Sequence, residues 1–357
     1  MSDPESRDDP GSRDREARVR EAVAGRREVL NHAITEELSI TEPERLYEAS
    51  RYLLDAGGKR LRPTTLLLVA ESLAEVDPGA VDYRSFPDLT GGTVDVLAPA
   101  VSVETIQSFT LIHDDIMDDD PMRRGVTSVH RAYDLETAIL AGDTLYSKAF
   151  SIMLGNGAPT DRTVRAVEIL ASTCTKICEG QALDVDFEDR DDVALEEYLR
   201  MVKQKTAMLY AASAGLSPVL LGADESVVEA MFSFGLDVGR AFQIRDDVLD
   251  LTVPSERLGK QRGSDLVEEK KTLITVHARE HGVDVDSLVE TDSVADVTEA
   301  EVDDAVARLQ EAGSIDYADE TARDLVESGK QQLEVLPDNE ARERLFDLAD
   351  FLVERGY

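Results

Sequence analysis

The stretch Leu111-Ile112-His113-Asp114-Asp115-Ile116-Met117-Asp118-Asp119-Asp120-Pro121-Met122-Arg123-Arg124-Gly125 and its counterpart Phe242-Gln243-Ile244-Arg245-Asp246-Asp247-Val248-Leu249-Asp250-Leu251 decide how this chain is read. Each carries the spacing Asp-Asp-x-x-Asp within an otherwise apolar, helix-like run. Residues four apart on a helix point the same way, so Asp114 with Asp118, and Asp246 with Asp250, present paired carboxylates on one face. At ~6 Å and an effective dielectric of ~20 the repulsion is roughly 2–3 kcal/mol per pair, which an apolar helix tolerates when a cation is bound. An all-oxygen donor set favours Mg²⁺ over zinc. Arg123 and Arg124 follow the first cluster at once, so one locus can hold both metal ions and the oxyanions they bridge, as a diphosphate requires. The plain alternative, a solvated acidic helix end, serves for the first cluster alone. The second cluster, whose neighbours read as core, weakens it considerably.

Outward from these clusters the chain is a series of long amphipathic segments, roughly 42–55, 60–75, 98–117, 129–153, 160–183, 193–213, 218–222, 225–251, 269–281, 299–312, 315–334 and 338–355. No alternating strands joined by hairpin turns are evident. The expected fold is all-α, a single large helical bundle around a central cavity, spanning 21–357. A disordered acidic tail is expected over 1–20, since Met1 through Glu16 are charged and rich in Pro, Gly and Ser. Val76 to Leu97, with Asp77-Pro78-Gly79, Phe86-Pro87 and Gly91-Gly92, reads as a surface loop, and Pro254 to Glu268 as a softer break.

Composition narrows the function. A formal charge of −36 over 357 residues leaves no basic face to track nucleic acid, and an anionic membrane would repel the chain. Acidic residues spread over every segment point to a halophile, whose concentrated salt screens the repulsion. Lysine is confined to Lys59, Lys148, Lys176, Lys203, Lys205, Lys260, Lys270, Lys271 and Lys330, which makes each retained lysine a candidate for a specific duty. No apolar run approaches membrane-spanning length and no leader is seen, so a soluble cytoplasmic protein with no membrane insertion is expected. Cys174 and Cys178, one helical turn apart without partner ligands, read as buried reduced thiols.

Two further basic stretches complete the set. Gly57-Gly58-Lys59-Arg60-Leu61-Arg62-Pro63 offers amides, an ammonium and two guanidiniums where a loop enters a helix, a suitable anion cradle that lacks the spacing of a P-loop. Lys203-Gln204-Lys205-Thr206 puts two lysines near a hydroxyl. Either stretch alone is compatible with a charged surface patch.

Taken together, these residues resemble the trans (all-E) isoprenyl diphosphate synthases, the family of farnesyl and geranylgeranyl diphosphate synthases. The likeness runs from about residue 25 to the C-terminus. It rests on both aspartate motifs in order, Gly57-Gly58-Lys59 with Arg62, Gly180-Gln181, Lys205-Thr206 and Phe242-Gln243. The resemblance implies the isoprenoid synthase fold, a homodimer, and a Mg²⁺-dependent prenyltransferase that condenses isopentenyl diphosphate with dimethylallyl, geranyl or farnesyl diphosphate. It implies that Asp114, Asp115 and Asp118, with Asp246, Asp247 and Asp250, hold three Mg²⁺ ions on the allylic diphosphate, gripped also by Arg123, Lys205 and Lys260. Lys59, Arg62, Gln107 and Arg124 would bind isopentenyl diphosphate; many relatives have His where Gln107 stands. Lys270 would help close a loop over the site, and Thr206, Gln181 and Gln243 would turn dipoles toward the allylic cation. An aromatic residue at Phe109 would act as the floor that ends chain growth, with Thr110 beside it too small to shorten the product further. A geranylgeranyl product is implied, with farnesyl diphosphate as intermediate or co-product.

Other signals are set aside. Asp184-Val185-Asp186-Phe187-Glu188 begins like a calcium loop but has Asp189 where glycine is needed and Leu195 where glutamate is needed. His113 projects about 100° from Asp114, fitting a supporting role rather than ligation. A class I terpene cyclase would not need the Gly57-Gly58-Lys59 cradle, and a catalytically silent partner subunit would be expected to lack aspartates or lysines that are all present here.

Overall fold

The computed structural model describes residues 10–77, 81–188, 190, 192–255, 261–291, 293–294 and 296–354. By its internal packing the chain divides into two compact units, one of Met1–Ser172, Ala212–Phe232 and Val335–Asp347, the other of Thr173–Ala211, Ser233–Glu334 and Leu348–Tyr357.

The first unit contains α1 (Pro10–Glu37), α2 (Glu44–Asp55), α3 (Leu61–Ala74), α4 (Leu97–Met117), α5 (Val129–Ala132), α6 (Leu135–Leu154) and the start of α7 (Thr160–Glu188). Leu66, Leu67, Leu68, Val69 and Ala70 are all buried, so α3 is apolar on every side and lies in the core. α1 and α4 pack against it, and α4 makes its most extensive contact with α6. Asp134 caps α6 by accepting the Thr137 amide at 2.7 Å. That cap divides the single segment expected over 129–153.

The second unit holds the end of α7, α8 (Leu195–Val202), a π-helical turn (Lys203–Ala207), the start of α9 (Met208–Leu221) and the end of α10 (Glu225–Thr252). It continues through α11 (Ser264–Val267), α12 (Leu273–Glu280), α13 (Glu299–Glu311), α14 (Ser314–Gln332) and the end of α15 (Glu340–Glu354). α13 starts at a capping box: Thr298 Oγ1 accepts the Glu301 amide, and Glu301 Oε2 accepts the Thr298 amide at 2.9 Å. α12 packs on α8 and α14.

Several local expectations change. The chain is helical from Pro10, where the sequence reading has a tail to residue 20; residues 1–9 lie outside the described residues. Val19 is buried and Arg18 grips Asp347 with two 2.7 Å hydrogen bonds, so a partner 329 residues away supplies what local composition lacks. Within 76–97 a short antiparallel pair, β1 (Phe86–Pro87) with β2 (Thr93–Val94), forms where no strand was expected. Asp88 at its turn accepts from the Gly92 amide at 2.6 Å and from Arg162 at 3.1 Å. The Leu89 amide donates to the Leu221 carbonyl at 3.0 Å, so the hairpin braces the start of α7 against the end of α9. A second pair, β3 (Met122–Arg123) with β4 (Val126–Thr127), turns the chain after the first aspartate cluster. Cys174 is buried as expected, but Cys178, one turn further along α7, is exposed.

Candidate active site

Each unit carries one acidic cluster with its own basic residues. In the first, α4 ends at Met117 and Asp118 is its C-cap, the Asp118 amide donating to the Asp114 carbonyl at 2.9 Å. The paired carboxylates therefore sit on the last turn of a buried helix. Arg123, brought back by the β3–β4 turn, donates from Nε to Asp115 Oδ1 at 2.5 Å and from Nη2 to Asp120 Oδ2 at 2.7 Å, with Asp114 Oδ2 4.0 Å from Nη2. Asp115 is fully buried. Burial pushes its carboxyl up to about 6, Arg123 pulls the other way, and Asp120 and Asp114 add to the rise. Its second oxygen is buried without a hydrogen-bond partner among the described residues. An acceptor left open in this way beside further carboxylates suits a cation.

The anion cradle lies in the same unit and has a centre the sequence did not show. Glu104, buried on α4, accepts from Arg60 Nη1 at 2.5 Å and from Arg124 Nη2 at 3.4 Å. Arg60 also donates to the Leu54 carbonyl at 2.7 Å, and Arg124 to the Gly57 carbonyl at 2.6 Å. Burial, followed by the charges of Arg60 and Arg62, holds the Arg124 guanidinium below its ordinary range despite Glu104. Two guanidiniums share this one carboxylate and Arg62 adds a further positive charge near Arg124, a set that suits an anion. Gly58 is required here: at φ 151° a Cβ would stand 3.1 Å from Arg124 Cζ. Lys59 is exposed and Arg62 and Gln107 half-buried around this group. Phe109 and Thr110 are half-buried on α4.

In the second unit the π-helical turn presents Lys205 and Thr206. Such turns insert one residue into the helical ladder and re-aim the side chains there. Gly180 permits it, since a Cβ on α7 would come within 2.7 Å of Lys205 Cα. Lys205 Nζ pairs with Asp184 at 2.5 Å. Thr206 Oγ1 donates to Gln243 Oε1 at 3.0 Å, Gln243 Nε2 donates to Asp247 Oδ1 at 3.0 Å, and Tyr198 donates to Asp247 Oδ2 at 2.7 Å. Burial, then the Asp265 charge, raises the Asp247 carboxyl well above the usual range. Asp250 accepts from Ser264 Oγ at 2.9 Å and the Asp265 amide at 3.1 Å. Asp246 is half-buried on α10 between these engaged neighbours. Gln181 Nε2 is buried without a partner among the described residues. Lys270 is exposed, 2.9 Å from Glu268, and Lys260 lies outside the described residues.

The sequence reading missed Glu104, Tyr198 and Asp184. All are polar groups whose importance comes from partners distant in sequence; a lone acidic residue in an apolar helix was the available signal for Glu104. Among the described residues no three His, Cys, Asp or Glu side chains converge tightly enough to hold an ion by themselves.

An all-helical fold bearing two Asp-Asp-x-x-Asp clusters and guanidinium cradles defines an isoprenoid synthase. The chain belongs to the polyprenyl synthetase family, whose sequence profile matches residues 43–309. It is 66% identical over 339 residues to the geranylfarnesyl diphosphate synthase of Natronomonas pharaonis, covering 95% of this chain and 98% of that one. The geranylgeranyl pyrophosphate synthetase of Geoglobus acetivorans superposes with a TM-score of 0.82 at 44% identity, covering 93% and 99% of the two chains. A polyprenyl synthase from Caulobacter crescentus, solved with calcium and isoprenyl diphosphate, superposes at 0.79 with 31% identity over 96% and 98%.

Proposed function

We propose that the protein is a Mg²⁺-dependent prenyltransferase that extends allylic diphosphates with isopentenyl diphosphate to short all-trans products. The carrying observation is the charge arrangement: a buried carboxylate with one open oxygen beside Arg123, and two guanidiniums gathered on Glu104 with the charge of Arg62 close to Arg124. When bound, Mg²⁺ would neutralise the allylic diphosphate and polarise its bond to carbon; three ions are expected. Asp114, Asp118 and Asp246 would hold them, with Asp115 oriented by Arg123. Asp247 and Asp250 would act more by shaping α10, since both oxygens of each already accept hydrogen bonds.

The residues divide the remaining work. Lys59, Arg62, Gln107 and Arg124 would seat the diphosphate of isopentenyl diphosphate, with Arg60, whose three nitrogens are bonded to Asn31, Glu104 and the Leu54 carbonyl, holding the cradle in shape, and Lys205 the allylic one. The allylic carbon–oxygen bond breaks, the alkene of isopentenyl diphosphate forms the new carbon–carbon bond, and a proton leaves to the departed diphosphate. Thr206 and Gln243, locked to each other and to Asp247, present fixed dipoles to the developing cation, which costs no reorganisation during the reaction. Excluding water protects that cation.

Product length follows from the wall below the first cluster. Phe109 supports a geranylgeranyl product, while the 66%-identical relative is a geranylfarnesyl synthase, favouring one isoprene unit more. A homodimer is supported by the apolar side chains that α6 leaves exposed, among them Leu135, Ile139, Leu140 and Leu154. Among the described residues no helix is long and apolar enough to cross a membrane; a cytoplasmic location is part of the proposal. The test is purified protein in molar KCl with Mg²⁺, labelled isopentenyl diphosphate and dimethylallyl, geranyl or farnesyl diphosphate, with alcohols sized after dephosphorylation. Elongated alcohols are expected from each primer; none would leave a silent partner subunit as the better reading.

A further inference from the structure

We propose that His113 and Gly142 set product length by fixing the ring of Phe109. This rests on Phe109 acting as the floor of the growing chain. α4 and α6 approach so closely at Gly142 that a Cβ there would stand 2.5 Å from His113 Cδ2 and 3.1 Å from Cε1. Only glycine leaves the space the imidazole occupies. His113 Nε2 donates to the Ile139 carbonyl at 3.3 Å, and because a carbonyl oxygen only accepts, Nε2 carries the hydrogen. The ring is thereby pinned in the groove between the two helices.

Phe109 lies one turn back on α4 and meets this ring edge-on, centroids 4.9 Å apart at 70°. Its other neighbour is Tyr146 at 5.2 Å, which in turn meets Phe150 at 5.2 Å. A phenylalanine on a helix has two accessible χ1 positions, and a ring held between His113 and Tyr146 is confined to one of them. His113 thus adjoins Asp114 yet acts through Phe109, as a positioning residue. Gly142 has no side chain and determines where that residue can sit.

The test compares product distributions of His113→Ala, Gly142→Ala, their double variant, His113→Phe and Phe109→Ser, each checked for folding by thermal unfolding. His113→Ala removes the support and Gly142→Ala expels the imidazole, so each should raise the share of products one isoprene unit longer at least threefold. The double variant should match His113→Ala alone, because the ring that a Cβ would displace is gone. His113→Phe keeps a ring against Phe109 but loses the donor, and should lengthen the products less than His113→Ala, an outcome a general loss of packing would not give. If Phe109→Ser lengthens the products while His113→Ala and Gly142→Ala leave them unchanged, the proposal fails and the floor reading stands. If Phe109→Ser has no effect, both fail. Should Gly142→Ala not fold, the contrast between His113→Ala and His113→Phe decides: equal distributions overturn the proposal.

Discussion

Replacing Glu104 by glutamine probes the anion cradle where its balance is tightest. Glu104 is buried, receives Arg60 at 2.5 Å and Arg124 at 3.4 Å, and is the carboxylate that both guanidiniums share. One unit charge at ~4 Å and an effective dielectric of ~20 is worth about 4 kcal/mol. Removing one partner of a buried ion pair typically costs ~3–5 kcal/mol, because the other charge stays buried and uncompensated. Glu104→Gln should therefore lower the unfolding free energy by ~3–5 kcal/mol. At the few degrees per kcal/mol usual for domains of this size, Tm would fall by ~6–20 °C. The variant should also depend on anions. Inorganic pyrophosphate at a hundred times its Kd stabilises a folded protein by about 2.7 kcal/mol, and in the variant it also neutralises Arg60, Arg62 and Arg124. Differential scanning fluorimetry in molar KCl, with and without pyrophosphate, reads both effects. A loss under ~1 kcal/mol with equal pyrophosphate stabilisation of both proteins would refute the charge-balance reasoning.

Three other outcomes follow from the geometry. Gly180→Ala forces α7 off the π-helical turn and should destabilise the fold by ~1–3 kcal/mol while lowering kcat more than it raises KM; unchanged kcat in a folded variant would show that Lys205 and Thr206 need no such packing. Tyr198→Phe strips a buried donor from Asp247 Oδ2, with an expected loss of ~1–3 kcal/mol measured by urea unfolding. Asp115, raised by burial to about 6, gives opposite pH slopes for activity and stability. Its carboxylate, needed by Arg123, is lost as pH falls through about 6, so kcat/KM should decline there. The burial penalty runs the other way: it is absent below the unfolded carboxyl range near pH 4 and complete above about 6, so Asp115 subtracts stability as pH rises through that window. Asp115→Asn should flatten both slopes, and parallel slopes in the parent protein would contradict the assignment.

What the sequence made legible was whatever local periodicity encodes. Asp114 and Asp118 stand four apart on a helix end, and the segment read over 299–312 is the helix Glu299–Glu311. The π-helical turn at Lys203–Ala207 could not, since its inserted residue is stabilised by the close approach of Gly180 on another helix. Glu104 and Tyr198 were missed for the same reason: a buried polar residue gains its meaning from partners 20 to 49 positions away. The start of α1 depends on Asp347, far outside any window that composition samples. Breaks rich in glycine and proline announced 76–97 as irregular, but not that Asp88 would tie it to Arg162.

The proposed function requires both aspartate clusters to carry divalent ions that engage an allylic diphosphate. A crystal structure with Mn²⁺ and farnesyl thiodiphosphate, the ions placed by anomalous scattering, tests it most directly. Ions in contact with Asp114, Asp118 and Asp246 and with oxygens of the bound diphosphate are expected. A thiodiphosphate bound with no ion on these aspartates, or ions on one cluster only, would contradict it.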